Sequence, residues 1–202
     1  MADRGLTGVL LVGGASRRFG SAKALARFGC ETLAERGWRL LGEACDERLA
    51  VGKAADGLAL PFPLLDDGTD VRHPAAGIVA ALRAAAHEVC VVLPVDCPLM
   101  TPAALRALGE ACADTSRPAG DAGPIPGALR RTVLPVLERC LAEQGSIGEA
   151  LVGCDVRLVP LDPLLYADAD TASELAVLAA GRPDDATQPS RSPPSRGGPT
   201  PG

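Results

Sequence analysis

Aromatic side chains are scarce in this chain: three Phe, one Tyr and one Trp stand among 202 residues. Ala, Leu and Val carry most of the 47% apolar content instead, enough for one domain with a real core and a mix that suits helices packed on a parallel sheet. There is no excess of positive charge. A net charge of −5 argues against a nucleic-acid groove, which is normally basic. None of the seven cysteines (30, 45, 90, 97, 112, 140 and 154) forms a C-x-x-C pair, so no zinc site is expected. Most fall in apolar stretches such as Val89-Cys90-Val91 and read as reduced, buried small hydrophobes. Cys97 follows a candidate metal ligand, but no His lies near it in sequence, which argues against a catalytic thiol. No run reaches the ~20 apolar residues of a membrane span. The opening residues carry Asp3 and Arg4 and do not read as a signal peptide, so a cytoplasmic location is expected.

What is present is concentrated near the amino end. An apolar strand at residues 7–12 runs into Gly13-Gly14-Ala15-Ser16-Arg17-Arg18-Phe19-Gly20-Ser21-Ala22-Lys23. Glycines let a backbone turn sharply and bring its N–H groups close to a ligand, and Arg and Lys add fixed positive charge at the same place. A nucleoside triphosphate needs such a loop. It is not a Walker loop, because Lys23 follows Gly20 by three residues and precedes Ala24. It is not a dinucleotide fingerprint, because it has no G-x-G. The alternative is an ordinary strand-to-helix turn with surface arginines.

Strands and helices then alternate. Helical spacing marks 31–45, where Thr32 and Glu35 form a capping-box pattern, and residues 75–86. Strands are expected at 48–51, 62–65, 88–93 and 156–160. The run at 88–93 is continuously apolar, as in a strand covered on both faces. Thr101 followed by Pro102 starts another helix, and further helices are expected at 132–142 and 172–180. This order predicts an α/β fold, a Rossmann-like three-layer sandwich with a mostly parallel sheet. Residues 1–180 form the expected domain, and 181–202, rich in Pro, Ser, Gly and Arg, read as a disordered tail. Ligands of such sheets bind beyond the carboxyl ends of the strands, here after Val12, Leu65 and Leu93.

Asp96, just past the 88–93 strand and between Pro94 and Pro98, is well placed to hold a divalent cation. Its alternative role, capping the next helix, is better filled by Thr101. Asp170 beside a phosphate would need a cation between them, which makes it a second candidate magnesium ligand. Asp170 or Thr171 as cap of the last helix is the competing reading. Arg130 and Arg131 could meet an anionic acceptor or form an exposed helix start.

The pattern G-G-x-S-x-R-x-G-x-x-K at residues 13–23 resembles the signature loop of the molybdenum cofactor guanylyltransferase (MobA-like) nucleotidyltransferase family. Pro94-Val95-Asp96-Cys97-Pro98 resembles the family's P-x-D-x-P motif. His73-Pro74-Ala75-Ala76-Gly77-Ile78 is similar to its G-P-x-A-G-I segment, with His for Gly. Residues 166–175 resemble its F-x-N-x-N-T-P-E-D-L element, with Asp168 and Asp170 for the Asn pair and Ala172 for Pro. The resemblance implies a fold of the nucleotide-diphospho-sugar transferase type. It implies transfer of GMP from GTP onto a molybdopterin-type acceptor carrying molybdenum, with release of pyrophosphate and with Mg2+ as cofactor.

By the same resemblance Leu11, Val12, Gly13, Gly14, Lys23, Asp66 and Asp96 would contact the nucleotide, with Asp67 the neighbouring alternative to Asp66. Arg18, Lys23 and Asp96 would carry the catalysis, and Asp96 with Asp170 the metal. Gly13-Gly14 favours guanine, whereas the Asp-x-Asp-Thr element and Gly52 pull toward cytidine, so CTP is the alternative donor. The family's asparagine after the second strand is replaced by Gly52-Lys53, and residues 116–127 lack its His-Pro pair, which leaves the acceptor side undefined. A different phosphorylated acceptor and a non-catalytic nucleotide-binding module are the remaining alternatives. A molybdoenzyme or another cofactor-biosynthesis protein is the partner to expect, and neither nucleic acid nor membrane.

Overall fold

The computed structural model describes residues 5–13 and 22–180. The expected tail at 181–202 lies outside the described residues. The chain opens with β1 (Leu6–Leu11) and, after a 3₁₀ turn at Lys23–Leu25, a two-stranded hairpin of β2 (Arg27–Phe28) and β3 (Glu31–Thr32). Helix α1 (Leu33–Ala44) starts on the expected capping box: Glu35 N donates to Thr32 Oγ1 at 3.2 Å, and Thr32 N donates to the Glu35 carboxylate at 2.7 Å. There follow β4 (Glu47–Gly52), β5 (Leu64–Asp66), α2 (Pro74–Ala84), β6 (Val89–Pro94) and α3 (Pro102–Ala111). The last third holds β7 (Thr115–Pro118), β8 (Gly127–Arg130), α4 (Leu134–Glu143), α5 (Ile147–Ala150), β9 (Val156–Val159) and α6 (Ala172–Ala180).

Among the described residues seven strands form one sheet in the order β5-β4-β1-β6-β8-β7-β9. β5, β4, β1 and β6 are parallel, β8 runs against both of its neighbours, and β9 pairs parallel with β7. The mostly parallel α/β sandwich expected from the sequence is therefore present, with one reversed strand. Alternation along β1 and β6 divides the core. Leu6, Leu10, Val91 and Leu93 face α1 and α3, while Val9, Cys90 and Val92 face α2 and α4. A third cluster of Phe28, Leu33, Ala169 and Leu175 fastens α6 and the segment before it onto the β2–β3 hairpin. Close approach of α1 to the sheet depends on Gly37, where an added Cβ would lie 2.5 Å from Leu10 Cδ1.

Some boundaries differ from those the sequence predicts. The strand expected at 62–65 is Leu64–Asp66, because Phe62 instead stacks on Trp38 with ring centroids 4.4 Å apart. The helix expected at 132–142 begins at Leu134, after a 3₁₀ turn at Arg131–Val133. Strands β7 and β8 were not expected. Both are four residues long, too short to show an apolar period. Among the described residues no helix is long and apolar enough to cross a membrane.

Candidate active site

Four parallel strands end on one edge of the sheet, and a cleft of about 1140 Å³ opens there. Leu11, Val12 and Gly13 line it from the end of β1, Gly52 and Lys53 from β4, and Asp96 from the turn after β6. Asp168 and Asp170 reach it from the segment before α6. The sequence separates these groups by more than a hundred residues, and the parallel topology brings their strand ends together.

Lys23 stands between two carboxylates. Its Nζ lies 3.3 Å from Asp96 Oδ2 and 2.9 Å from Asp170 Oδ1. Partial burial works against the ammonium charge, but hydrogen bonds to Asp170 and Asp96 and the attraction of both carboxylates outweigh it and raise the Lys23 pKa above its ordinary 10.5. Lys23 is thus a fixed cation at neutral pH. Backbone contacts hold the arrangement, since Ala169 N donates to the Asp96 carbonyl at 2.9 Å.

Neither aspartate is spent on a helix cap. Thr101 Oγ1 accepts from Ala104 N at 3.3 Å and caps α3. Thr171 Oγ1 accepts from Glu174 N at 3.2 Å, and the Glu174 carboxylate accepts from Asp170 N and Thr171 N, a second capping box. The side chain of Asp170 is left to face Lys23. Two convergent carboxylates supply the hard oxygen donors that magnesium takes, one or two from protein with phosphates completing the shell. Among the described residues no group of three or more His, Cys, Asp or Glu surrounds a metal position, so any metal here would draw the rest of its shell from substrate or water.

The acids at the end of β5 are arranged differently from the sequence expectation. Asp66 is exposed and turns its carboxylate to Ala54 N at 2.6 Å and Gly68 N at 2.7 Å, shaping the loops behind the cleft. Those amide hydrogen bonds pull its pKa below the ordinary carboxylate value. Asp67 is the residue that lines the cleft, where its two oxygens accept from Lys53 Nζ at 3.0 and 3.1 Å. A one-residue offset moves the carboxylate from one side of the strand to the other. The spacing to Gly77 could not separate the two. His73 also reaches the cleft, but its Nδ1 accepts from Ala75 N at 3.1 Å and so caps α2.

Cys97 is buried, with its Sγ 3.9 Å from Asp96 Oδ1 and 3.7 Å from the Tyr166 carbonyl. Burial, and then the Asp96 charge, push its thiol far above the ordinary range, so it is held protonated and is not a nucleophile. Arg130 and Arg131 lie at the opposite edge, where they hydrogen-bond the carbonyls of residues 112 and 113 and of 85 and 87. Both serve the scaffold and are remote from the cleft, since Arg130 pairs with Val89 at the start of β6. Gly14, Arg17, Arg18 and Gly20 lie outside the described residues.

The far wall of the cleft comes from residues 119–126, where the sequence pattern leaves the acceptor side undefined, and from residues 161–168. Arg117 organises the first by donating to the carbonyls of Gly120 at 3.2 Å and Ala122 at 2.7 Å. Tyr166 ties the two together through a 3.2 Å hydrogen bond from its hydroxyl to the Ala119 carbonyl. Ile125, Pro126, Leu161 and Pro163 give this wall an apolar surface.

The profile of the MobA-like NTP transferase domain matches residues 8–157. The chain belongs to this family. It is a nucleotidyltransferase of MobA-like type, and the stretch matched includes Gly13, Lys23, Lys53, Asp67 and Asp96. A probable molybdenum cofactor guanylyltransferase of Chloroflexus aggregans is 32% identical over 148 residues, covering 68% of this chain and 71% of that protein. Alignments with such guanylyltransferases span from 51% to 98% of their lengths. Among solved structures, molybdopterin-guanine dinucleotide biosynthesis protein A of Archaeoglobus fulgidus superposes with a TM-score of 0.72 at 23% identity, over 86% of this chain and 97% of that one. A Mycobacterium tuberculosis protein in complex with manganese superposes with a TM-score of 0.67 at 24% identity, over 89% and 100%. At these identities the two structures speak to the MobA-like fold alone.

Proposed function

We propose that the chain transfers GMP from GTP to a molybdopterin-type acceptor and releases pyrophosphate. The observation that carries this reading is Lys23 held between Asp96 and Asp170 on the cleft floor. A permanent cation beside two acids at the carboxyl edge of a parallel sheet is suited to a polyphosphate and its counter-ion. Asp96 and Asp170 would hold magnesium, and the manganese in the M. tuberculosis relative supports a divalent ion in this fold. When bound, the metal would offset negative charge shared between donor and acceptor phosphates.

An acceptor phosphate oxygen attacks the α-phosphorus in line. The bond from that phosphorus to the oxygen leading to the β-phosphate breaks, and pyrophosphate leaves. Lys23 neutralises charge growing on the α-phosphate and the leaving group, with Arg18 as the second cation implied by the loop motif. The backbone N–H groups around Gly13 would face base and phosphates, with Gly14 added by the loop motif alone. No side chain need act as base, because a phosphate acceptor is already ionised at neutral pH. Position and charge therefore supply most of the catalysis. The apolar wall around Ile125 and Leu161 suits a flat ring system on the acceptor, and the names of the relatives support molybdopterin. Such an acceptor would reach the protein from, or leave it for, a molybdoenzyme or another cofactor-biosynthesis protein.

The test is pyrophosphate release from each of the four triphosphates with magnesium and a panel of phosphorylated acceptors that includes molybdopterin. Product from GTP and molybdopterin alone is expected. Product from CTP would redirect the reading to cytidylyl transfer. Triphosphate binding that ignores magnesium and yields no product with any acceptor would overturn it in favour of a non-catalytic binder.

A further inference from the structure

The sheet ends on β9, and among the described residues nothing pairs with the outer side of that strand. The carbonyls of Asp155 and Val159 accept from Thr115 N at 3.1 Å and Ala119 N at 2.8 Å, so these residues turn their backbone toward β7. Peptide groups alternate along a strand, which leaves the N–H and C=O of Val156 and Leu158 directed away from the sheet. Six large apolar side chains are exposed among the described residues, and three of them gather here: Val152, Val156 and Leu158 line a groove of about 490 Å³. Unpaired backbone groups beside exposed apolar side chains are a template for another strand.

We propose that β9 is the contact between two copies of this chain, paired antiparallel about a two-fold axis at Val156. A pairing of this kind is closed: it covers the edge and stops at the dimer. The charges on the strand identify the occupant. Asp155 and Arg157 flank Val156, are both exposed, and lie 3.0 Å apart. Residues that face outward can only oppose residues that face outward, which leaves few registers. An axis at Asp155 sets Asp155 against Asp155, and an axis at Arg157 sets Arg157 against Arg157. An axis at Leu158 sets Val156 against Pro160, which has no N–H to give.

An axis at Val156 avoids all three faults. Asp155 of each copy then faces Arg157 of the other, at the non-hydrogen-bonded positions where side chains come closest and opposite charges stabilise. The two Val156 residues exchange both of their backbone hydrogen bonds. Leu158 N of each copy donates to the Cys154 carbonyl of the other, while Cys154 N stays with the Leu151 carbonyl at 3.1 Å. Val156 and Leu158 share one face of the strand, so the two apolar grooves join across the axis.

The test is sedimentation velocity on the whole chain from micromolar to millimolar concentration, for the wild type, Arg157→Glu, Asp155→Arg and Val156→Pro. The wild type should form dimers. Arg157→Glu makes both flanking residues acidic and Asp155→Arg makes both basic, so each alone should dimerise roughly 10-fold or more weakly. Mixed in equal amounts, the two variants should form a heterodimer, because every acid then faces a base. Val156→Pro should be monomeric, since it removes an outward N–H and leaves the bonds to β7 in place. A wild type that stays monomeric throughout overturns the proposal even where a variant fails to fold. So does a dimer that the folded charge variants form as tightly as the wild type, which would put the contact on another surface. A mixture of the two charge variants that gains no dimer also overturns it.

Discussion

The two walls of the cleft are built on different principles. The wall we assign to the nucleotide donor presents charge: Lys23, Asp96 and Asp170 at one end, Lys53 and Asp67 at the other, each of them paired. The wall we assign to the acceptor presents mainly small and apolar residues on loops: Arg117 and Tyr166 are turned inward to hold backbone carbonyls, and Asp121 and Asp168 are the acids among its lining residues. Charge must be placed to within fractions of an ångström to act on a transition state, and strand ends provide that rigidity. An apolar face tolerates looser placement and can sit on loops. Substitutions on the two walls should therefore fail in different ways: loss of chemistry on the first, loss of acceptor affinity or of local order on the second.

The largest effect is expected at Asp96. Asp96→Ala should lower turnover on the order of 10³-fold, with Lys23→Ala close behind at roughly 10²- to 10³-fold. Both variants should stay folded. The Asp96 side chain is 28% exposed, and an ion pair at such a position is worth no more than about 1 kcal/mol. Steady-state pyrophosphate release with circular dichroism on the same samples checks this. Near-normal turnover in both would remove the site assignment.

That wall was also the more legible one in the sequence. The strand at 88–93, the glycines after β1 and Lys23 are local patterns, and parallel topology alone brings strand ends to one edge. Asp96 is separable from a helix cap in the sequence because Thr101 stands nearby as a better one, whereas Asp170 and Thr171 compete for the cap of the last helix until the structure gives that role to Thr171. The Asp66–Asp67 choice was not legible. Spacing fixes a position along the chain, but the side of the strand depends on where pairing with β4 ends, at Gly52 and Asp66. The acceptor wall escaped for another reason. β7 and β8 are held by ladder bonds between short segments rather than by an apolar period, and the loops depend on Arg117, whose carbonyl partners carry no sequence signature. Lys53 read as a missing asparagine, and its pairing with Asp67 appears only in three dimensions.

On the acceptor wall the first expected effect is on order. A Cβ at Gly127 would lie 2.5 Å from the Pro124 carbonyl oxygen and 2.6 Å from that of Ser116, both backbone atoms that cannot swing away. Gly127→Ala should destabilise the protein by about 1–3 kcal/mol, a fall of several degrees in Tm, and raise the acceptor KM with the donor KM unchanged. Tyr166→Phe is the milder probe. It deletes one hydrogen bond worth about 1 kcal/mol, so acceptor KM should rise about fivefold while GTP affinity stays as it is. An equal rise for both substrates would mean that the two walls are not separable.

The smallest effect sharpens the contrast from the donor side. The Lys23 pKa is raised in the folded protein above the ordinary 10.5 that the unfolded chain would show. A group of this kind contributes its full stabilisation below the unfolded value and loses it as pH rises through the folded one. The difference in Tm between the wild type and Lys23→Met should thus be constant from pH 7 to about 10 and shrink only above 10.5. Thermal unfolding across that range checks it. A difference that fades by pH 9 would show a lysine that loses its proton too early to be a permanent cation. The donor wall would then lack the fixed charge that sets it apart from the acceptor wall.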